Sequence, residues 1–194
     1  LLADQMRVGK TPQAIMAAGK LGAERILVLC PAIACYQWQE QWYEWDSTRL
    51  PYILGKEPPV THGGVLIASY NRLVQHRKEL ARGSRWDVLI VDEAHFAKSP
   101  TAQRTGAVYG LTGVGWNADR IWALTGTPAP NHAGELWTML RAYGAVKIGY
   151  RPFVEYFCYY DWKTDRVYGN RPDKLPELRA LLAPFTLRRT LREV

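Results

Sequence analysis

Three short segments carry side chains suited to phosphate chemistry. The first is "DQMRVGKT", residues 4–11. A phosphate-binding loop needs consecutive backbone N–H groups aimed at the anion where a helix begins. Gly9 lets the backbone come close, Lys10 reaches the outer phosphates as a point charge, and the Thr11 hydroxyl is suited to magnesium. Pro12 is compatible with a first helical turn, where a missing N–H loses no partner. Arg7, Val8, Gly9, Lys10, Thr11 and Pro12 are therefore the candidate nucleotide-binding residues. The strict pattern G-x-x-x-x-G-K-[ST] fails at its first position, which is Asp4. Taken alone, the segment is equally compatible with a chance G-K-T at a helix start.

The second segment, "VLIVDEAH", sets Asp92 and Glu93 directly after an apolar run. Such a pair suits magnesium chemistry: Asp92 orients the metal through its water shell, and Glu93 polarises the attacking water. Acidic residues favoured by a helix dipole explain one carboxylate better than two. With the phosphate loop some 80 residues upstream, the pair points to a nucleoside-triphosphate site. Lys10, Asp92 and Glu93 are its catalytic candidates, and Thr11 and Asp92 its magnesium ligands. The third segment, "LTGTPAPN" (124–131), offers small hydroxyl residues and a tight turn that could sense the phosphates. It reads equally well as a strand-to-helix loop capped by Asn131.

Elements that bring these segments together follow from the apolar pattern. "RILVLC" (25–30), "GVLIAS" (64–69), "DVLIVD" (87–92) and "RIWALT" (120–125) are short and Val/Ile/Leu-rich, without alternation. Such runs read as strands buried on both faces. Helical stretches at 11–21, 35–45, 70–82 and 133–142 separate them, which predicts an α/β fold with a mostly parallel sheet and helices on both faces. Ligands bind at the carboxyl ends of strands in such sheets, so all three segments fall on one edge. Leu1–Ala3 read as the end of a further strand, and the chain as a fragment of a longer protein. The tail from about 145 to 194 has an aromatic stretch, a hairpin or loop at "KTDRVYGNRPD" and a helix at "KLPELRALLAPF". It is expected to extend the same single domain.

With 194 residues and 47% hydrophobic composition, the chain can bury a core and is unlike a disordered tract. Lys and Arg outnumber Asp and Glu by 25 to 18, giving +7, a mild preference for a polyanionic partner. Residues 71–85 hold five basic and one acidic residue; a solvated helix face is the leading reading there. Cys30, Cys35 and Cys158 form no disulfide or zinc pattern, Cys30 reads as core, and His62, His76, His95 and His132 lack ligand spacing. Neither a signal peptide nor a membrane-length apolar run is present. A cytoplasmic or nucleoid-associated setting, or a nuclear one in a eukaryote, is expected. Trp38, Trp42 and Trp45 share one helical stripe, which favours core packing over base stacking.

Six blocks in order, "LLADQMRVGKT", "ILVLCPAIACYQWQEQW", "VLIASYNRL", "VLIVDEAHFAKSPTAQRT", "IWALTGTPAPN" and "PFTLRRT", resemble the Snf-type double-stranded-DNA translocases of helicase superfamily two. These include chromatin remodellers and annealing helicases. The chain looks most like compact bacterial or phage members, or the annealing helicases. That family usually reads A-D-E-M-G-x-G-K-T, so Asp4 is its usual residue, whereas Gln5 and Arg7 depart from it. The resemblance implies a first RecA-like P-loop NTPase domain that binds ATP and Mg2+, with a second RecA-like domain supplying the arginine finger. It implies that Lys10 and Thr11 hold phosphate and magnesium and that Asp92 and Glu93 carry hydrolysis. His95, Thr125, Gly126 and Thr127 would couple the site to its partners. Pro31, Ser69, Tyr70, Asn71 and Asn131 would meet the backbone of double-stranded DNA; the basic run 71–85 and Arg188, Arg189 and Arg192 are further candidates for it, with a connection to the second domain the leading reading for Arg188 and Arg189. Residues 1–194 alone are then expected to hydrolyse ATP barely or not at all. D-E-A-H by itself also allows an RNA-dependent DEAH-box-type ATPase, although those carry S-A-T where Thr125-Gly126-Thr127 stand. A DNA-binding scaffold without turnover is disfavoured by the intact Lys10, Thr11, Asp92 and Glu93.

Overall fold

A computed structural model describes residues 1–56, 64–129 and 131–193; His62 and Pro130 lie outside the described residues. Five strands, β1 (Arg25–Cys30), β2 (Pro51–Ile53), β3 (Gly64–Ser69), β4 (Trp86–Asp92) and β5 (Ala118–Leu124), form one sheet in the order β2-β3-β1-β4-β5. Every pairing in it is parallel. Four of the strands are the apolar runs, shifted by no more than two residues at a boundary. The fifth, β2, is too short to show a pattern. It lies on the edge beside β3, where a proline as first residue costs no ladder hydrogen bond.

Alternation along the central strand explains why both faces need helices. Ile26, Val28 and Cys30 join one apolar cluster, whereas Leu27 and Leu29 join another. The first cluster is closed by α1 (Lys10–Leu21), through Ala14, Ile15 and Ala18, and by α2 (Cys35–Trp45), through Trp38 and Trp42. The tryptophan stripe is thus core for two of its three members. Trp45, the last residue of α2, is 45% exposed. The second cluster is closed by α3 (Tyr70–Arg82), α4 (Gln103–Tyr109), α5 (Trp137–Ala142) and α6 (Tyr150–Phe157).

Beyond α6 the chain forms an antiparallel hairpin, β6 (Cys158–Asp161) with β7 (Arg166–Asn170), and then α7 (Leu175–Leu182). Phe153, Val154, Phe157, Cys158 and Leu178 from this tail are buried in the second cluster. Close approach fixes one residue in the segment it packs on: a Cβ at Gly134 would sit 2.9 Å from Val154 Cγ2.

Leu2 continues the sheet outside β5. Its N–H donates to Ala123 O (2.8 Å), and its carbonyl accepts from Thr125 N–H (3.1 Å). On its far side runs the tail, with Ala3 N–H donating to Leu187 O (2.7 Å) and Leu187 N–H to Leu1 O (2.9 Å). Leu2 is parallel to Leu124, so the residues after it leave on the same sheet edge as the residues after Cys30, Ser69, Asp92 and Leu124.

Candidate nucleotide site

The loop between Leu2 and α1 is wound tightly at its end. Gly9 lies in the left-handed region (φ 80°), immediately before the first helical residue, Lys10. Arg7 is also left-handed, at φ 67°, a conformation that costs a side-chain-bearing residue roughly 1–2 kcal/mol. Lys10 reaches back across the loop, its Nζ donating to Asp4 O (3.0 Å) and Gln5 O (3.1 Å). Gln13 Nε2 donates to Val8 O (2.9 Å), fastening the loop to the first turn of α1. Asp4, which stands where the strict motif has glycine, is completely buried and is bonded to Arg189 through both carboxylate oxygens.

Facing it, Asp92 ends β4 and Glu93 turns the chain at φ 48°. Such strain is characteristic of functional sites. Asp92 Oδ2 accepts from Trp38 Nε1 (2.8 Å), and Oδ1 accepts from Glu93 N–H (2.9 Å). Burial raises its pKa; the Trp38 bond opposes this, the Glu93 charge adds to it, and the Lys10 ammonium pulls it back. The two motifs, 82 positions apart in sequence, therefore share one electrostatic environment. His95 Nδ1 lies 3.2 Å from Glu93 Oε2 and 3.2 Å from Thr125 Oγ1. Thr125 is buried, and its hydroxyl accepts from Thr127 N–H (3.1 Å). A Cβ on Gly126 would lie 3.2 Å from Met6 Cγ and 3.7 Å from Asp4 O. The Gly-Thr-Pro loop thus abuts the phosphate loop and touches the acidic pair through one histidine.

Outer positions of this edge hold surprises. Tyr70, read as a DNA contact, is buried, and its hydroxyl donates to Asp92 O (2.6 Å). It supports the acidic turn from beneath because the first turn of α3 rolls it onto the sheet. The Ser69 hydroxyl caps α3 by accepting from Arg72 N–H (3.3 Å). Asn131 caps nothing with its side chain; instead its Nδ2 donates to Glu135 Oε1 (2.6 Å), which also takes Lys98 Nζ (2.6 Å). Asn71 is exposed and Pro31 half-buried. Along the basic stretch, Arg72, Lys78, Arg82 and Arg85 are exposed, as a solvated face requires, and Arg85 pairs with Asp119.

Gln13 is a site residue that sequence reasoning missed, and Trp38, Tyr70 and Arg189 are read from sequence in other roles, as core, DNA contact and connection to a second domain. Trp38 had a usable signal, since a buried indole N–H needs an acceptor. Arg189 had none, standing 185 positions from Asp4.

A parallel α/β sheet with a phosphate loop, an acidic turn and a sensing loop on one edge defines a phosphate-loop nucleotide-binding domain. The donor set fits a magnesium nucleotide: helix-start N–H groups, one ammonium, one hydroxyl and two carboxylates. The chain belongs to the SNF2-related domain family, which it matches across residues 1–194. It is 30% identical to the chromatin-remodeling ATPase INO80 of Cryptococcus neoformans, over all of this chain and 12% of that protein. It is 34% identical to the SWI/SNF-related matrix-associated actin-dependent regulator of chromatin subfamily A-like protein 1 of Bos taurus, over 73% of this chain and 15% of that one. Among solved structures, the Sulfolobus solfataricus SWI2/SNF2 ATPase core in complex with dsDNA superposes with a TM-score of 0.77 at 26% identity. That match covers 97% of this chain and 39% of the other. The RecA-like fold read from the six blocks is the fold found. The chain spans only a small part of the curated relatives it matches.

Proposed function

We propose that this domain is the first of two RecA-like motor domains in an ATP-driven translocase on double-stranded DNA. The observation that carries the proposal is the shared edge, where the Gly-Thr-Pro loop lies against both the phosphate loop and the acidic turn beside the carboxyl ends of five parallel strands. Lys10 and the N–H groups from Arg7 to Thr11 would hold the ATP phosphates, and Thr11 and Asp92 would hold Mg2+. The metal, when bound, neutralises charge that develops on the transferred phosphoryl group. Glu93 accepts the proton of the attacking water, and His95 links Glu93 to Thr125, so that the state of the acid is felt at Thr125–Thr127.

The DNA-bound archaeal relative and the basic balance of this chain support the duplex backbone as partner. Its contacts would be Asn71, the main chain at Pro31 and Ser69, and the exposed basic face of α3, giving salt-sensitive binding indifferent to sequence. From the resemblance of its blocks we read the chain as close to compact bacterial or phage members or the annealing helicases, and so as cytoplasmic or nucleoid-associated, or nuclear in a eukaryote. In the full-length protein, Glu93→Gln is expected to keep ATP binding and to lower duplex-stimulated turnover by about a hundredfold or more. Turnover unchanged in that variant would refute the assignment.

A further inference from the structure

The tail and the phosphate loop are joined far more intimately than packing requires. Residues Leu187–Leu191 run beside Leu1–Gln5, and two bonds lie at the loop itself: Gln5 N–H donates to Arg189 O (3.0 Å), and Leu191 N–H donates to Gln5 Oε1 (2.9 Å). Arg189 then closes on Asp4. Its backbone N–H reaches Oδ1 (2.7 Å), Nη2 reaches Oδ2 (2.5 Å), and Nε reaches Oδ2 (3.1 Å). Nη2 also bonds Gln13 Oε1. Both acceptors continue into the nucleotide loop: the Asp4 carbonyl takes Lys10 Nζ, and Gln13 holds Val8 O. One guanidinium is therefore two hydrogen bonds away from the lysine and from the loop backbone.

We propose that Arg189 is a positioning residue that ties the chain leaving this domain to the phosphate loop, so that movement of that chain alters how the loop holds nucleotide. The proposal rests on the reading that a second motor domain follows this one. Exposure gives the latch its direction. Asp4 is 0% exposed, whereas the Arg189 side chain is 36% exposed. Arg189 can swing into water when the tail moves, but Asp4 cannot follow it. A buried carboxylate stripped of its counterion is unstable, so the loop must rearrange around Asp4, and Lys10 and Val8 move with it. Two arrangements of one loop, biased from outside the domain, are what coupling between sites requires. A staple serving stability alone could equally use an apolar pair, and it would not need its carboxylate inside the loop it holds.

The test uses the full-length protein with Arg189→Ala, Arg189→Lys and Gln5→Ala, measuring melting temperature, Kd for a non-hydrolysable ATP analogue with Mg2+, and turnover with and without duplex DNA. For folded Arg189→Ala, the account expects analogue binding weaker by about tenfold and a reduced ratio of DNA-stimulated to basal turnover. Arg189→Lys should recover part of both effects. A folded Arg189→Ala with wild-type analogue affinity and stimulation overturns the latch, as does a lowered melting temperature as the sole effect. If Arg189→Ala does not fold, Gln5→Ala decides. It deletes one exposed bond to Leu191 and is expected to weaken analogue binding about threefold; no change overturns the proposal. A wild-type enzyme indifferent to duplex DNA defeats the functional reading instead, and analogue affinity alone then judges the latch.

Discussion

Asp4, which breaks the strict motif of the phosphate loop, and Arg7, which departs from the family's usual glycine, have opposite explanations in the structure. Arg7 sits in the left-handed region at φ 67°, where a glycine would be at ease. The sequence exposed the departure but not the angle. Arg7→Gly is expected to raise stability by up to about 1 kcal/mol, the relief of strain being partly offset by the greater freedom of an unfolded glycine; denaturant unfolding measures this, and a clear loss would contradict it. Asp4 is held for its charge. Burial alone would raise its carboxyl, but the bonds and charge of Arg189, with Gln13, hold it below the usual carboxylate range. Its folded pKa thus lies under its unfolded value near 4. The stability it supplies is complete above that pH and is lost as pH falls through the lowered value. Asp4→Asn should therefore show a shallower loss of stability below about pH 4 than the wild type, read from acid unfolding at fixed salt.

Helices and strands were readable wherever a pattern had room to repeat. Runs such as "RILVLC" and "DVLIVD" lack alternation because both faces are covered, and that alone predicts their parallel pairing. The three-residue β2 shows no pattern, since its place depends on β3 rather than on its own residues. The tryptophan stripe named a buried helix face, but not that the Trp38 N–H would end on Asp92. Two further residues went elsewhere: Tyr70, in the first turn of α3, is rolled inward, and Asn131 is drawn to Glu135. Trp38→Phe keeps the ring in the core and removes the donor. We expect a loss of about 1–2 kcal/mol in unfolding free energy, with ATP turnover lowered because Asp92 is left raised further. A variant as stable and active as wild type would show the bond to be incidental.

For the molecule as a whole, the sheet edge was legible and its wiring was not. Parallel strands force the three motif segments together whatever the loops do, which is why the site could be assembled from spacing. Contacts that connect the site to its surroundings, Arg189 to Asp4 and His95 to Thr125, join segments 185 and 30 residues apart. No local pattern records such pairs. The central claim is that this edge hydrolyses ATP in response to duplex DNA, and one measurement addresses it directly. ATP turnover by the full-length protein should be compared with no nucleic acid, with duplex DNA and with RNA, at low and high salt. The account predicts stimulation by duplex DNA of any sequence, falling steeply as salt rises. Stimulation by RNA alone, or turnover indifferent to either, would contradict it.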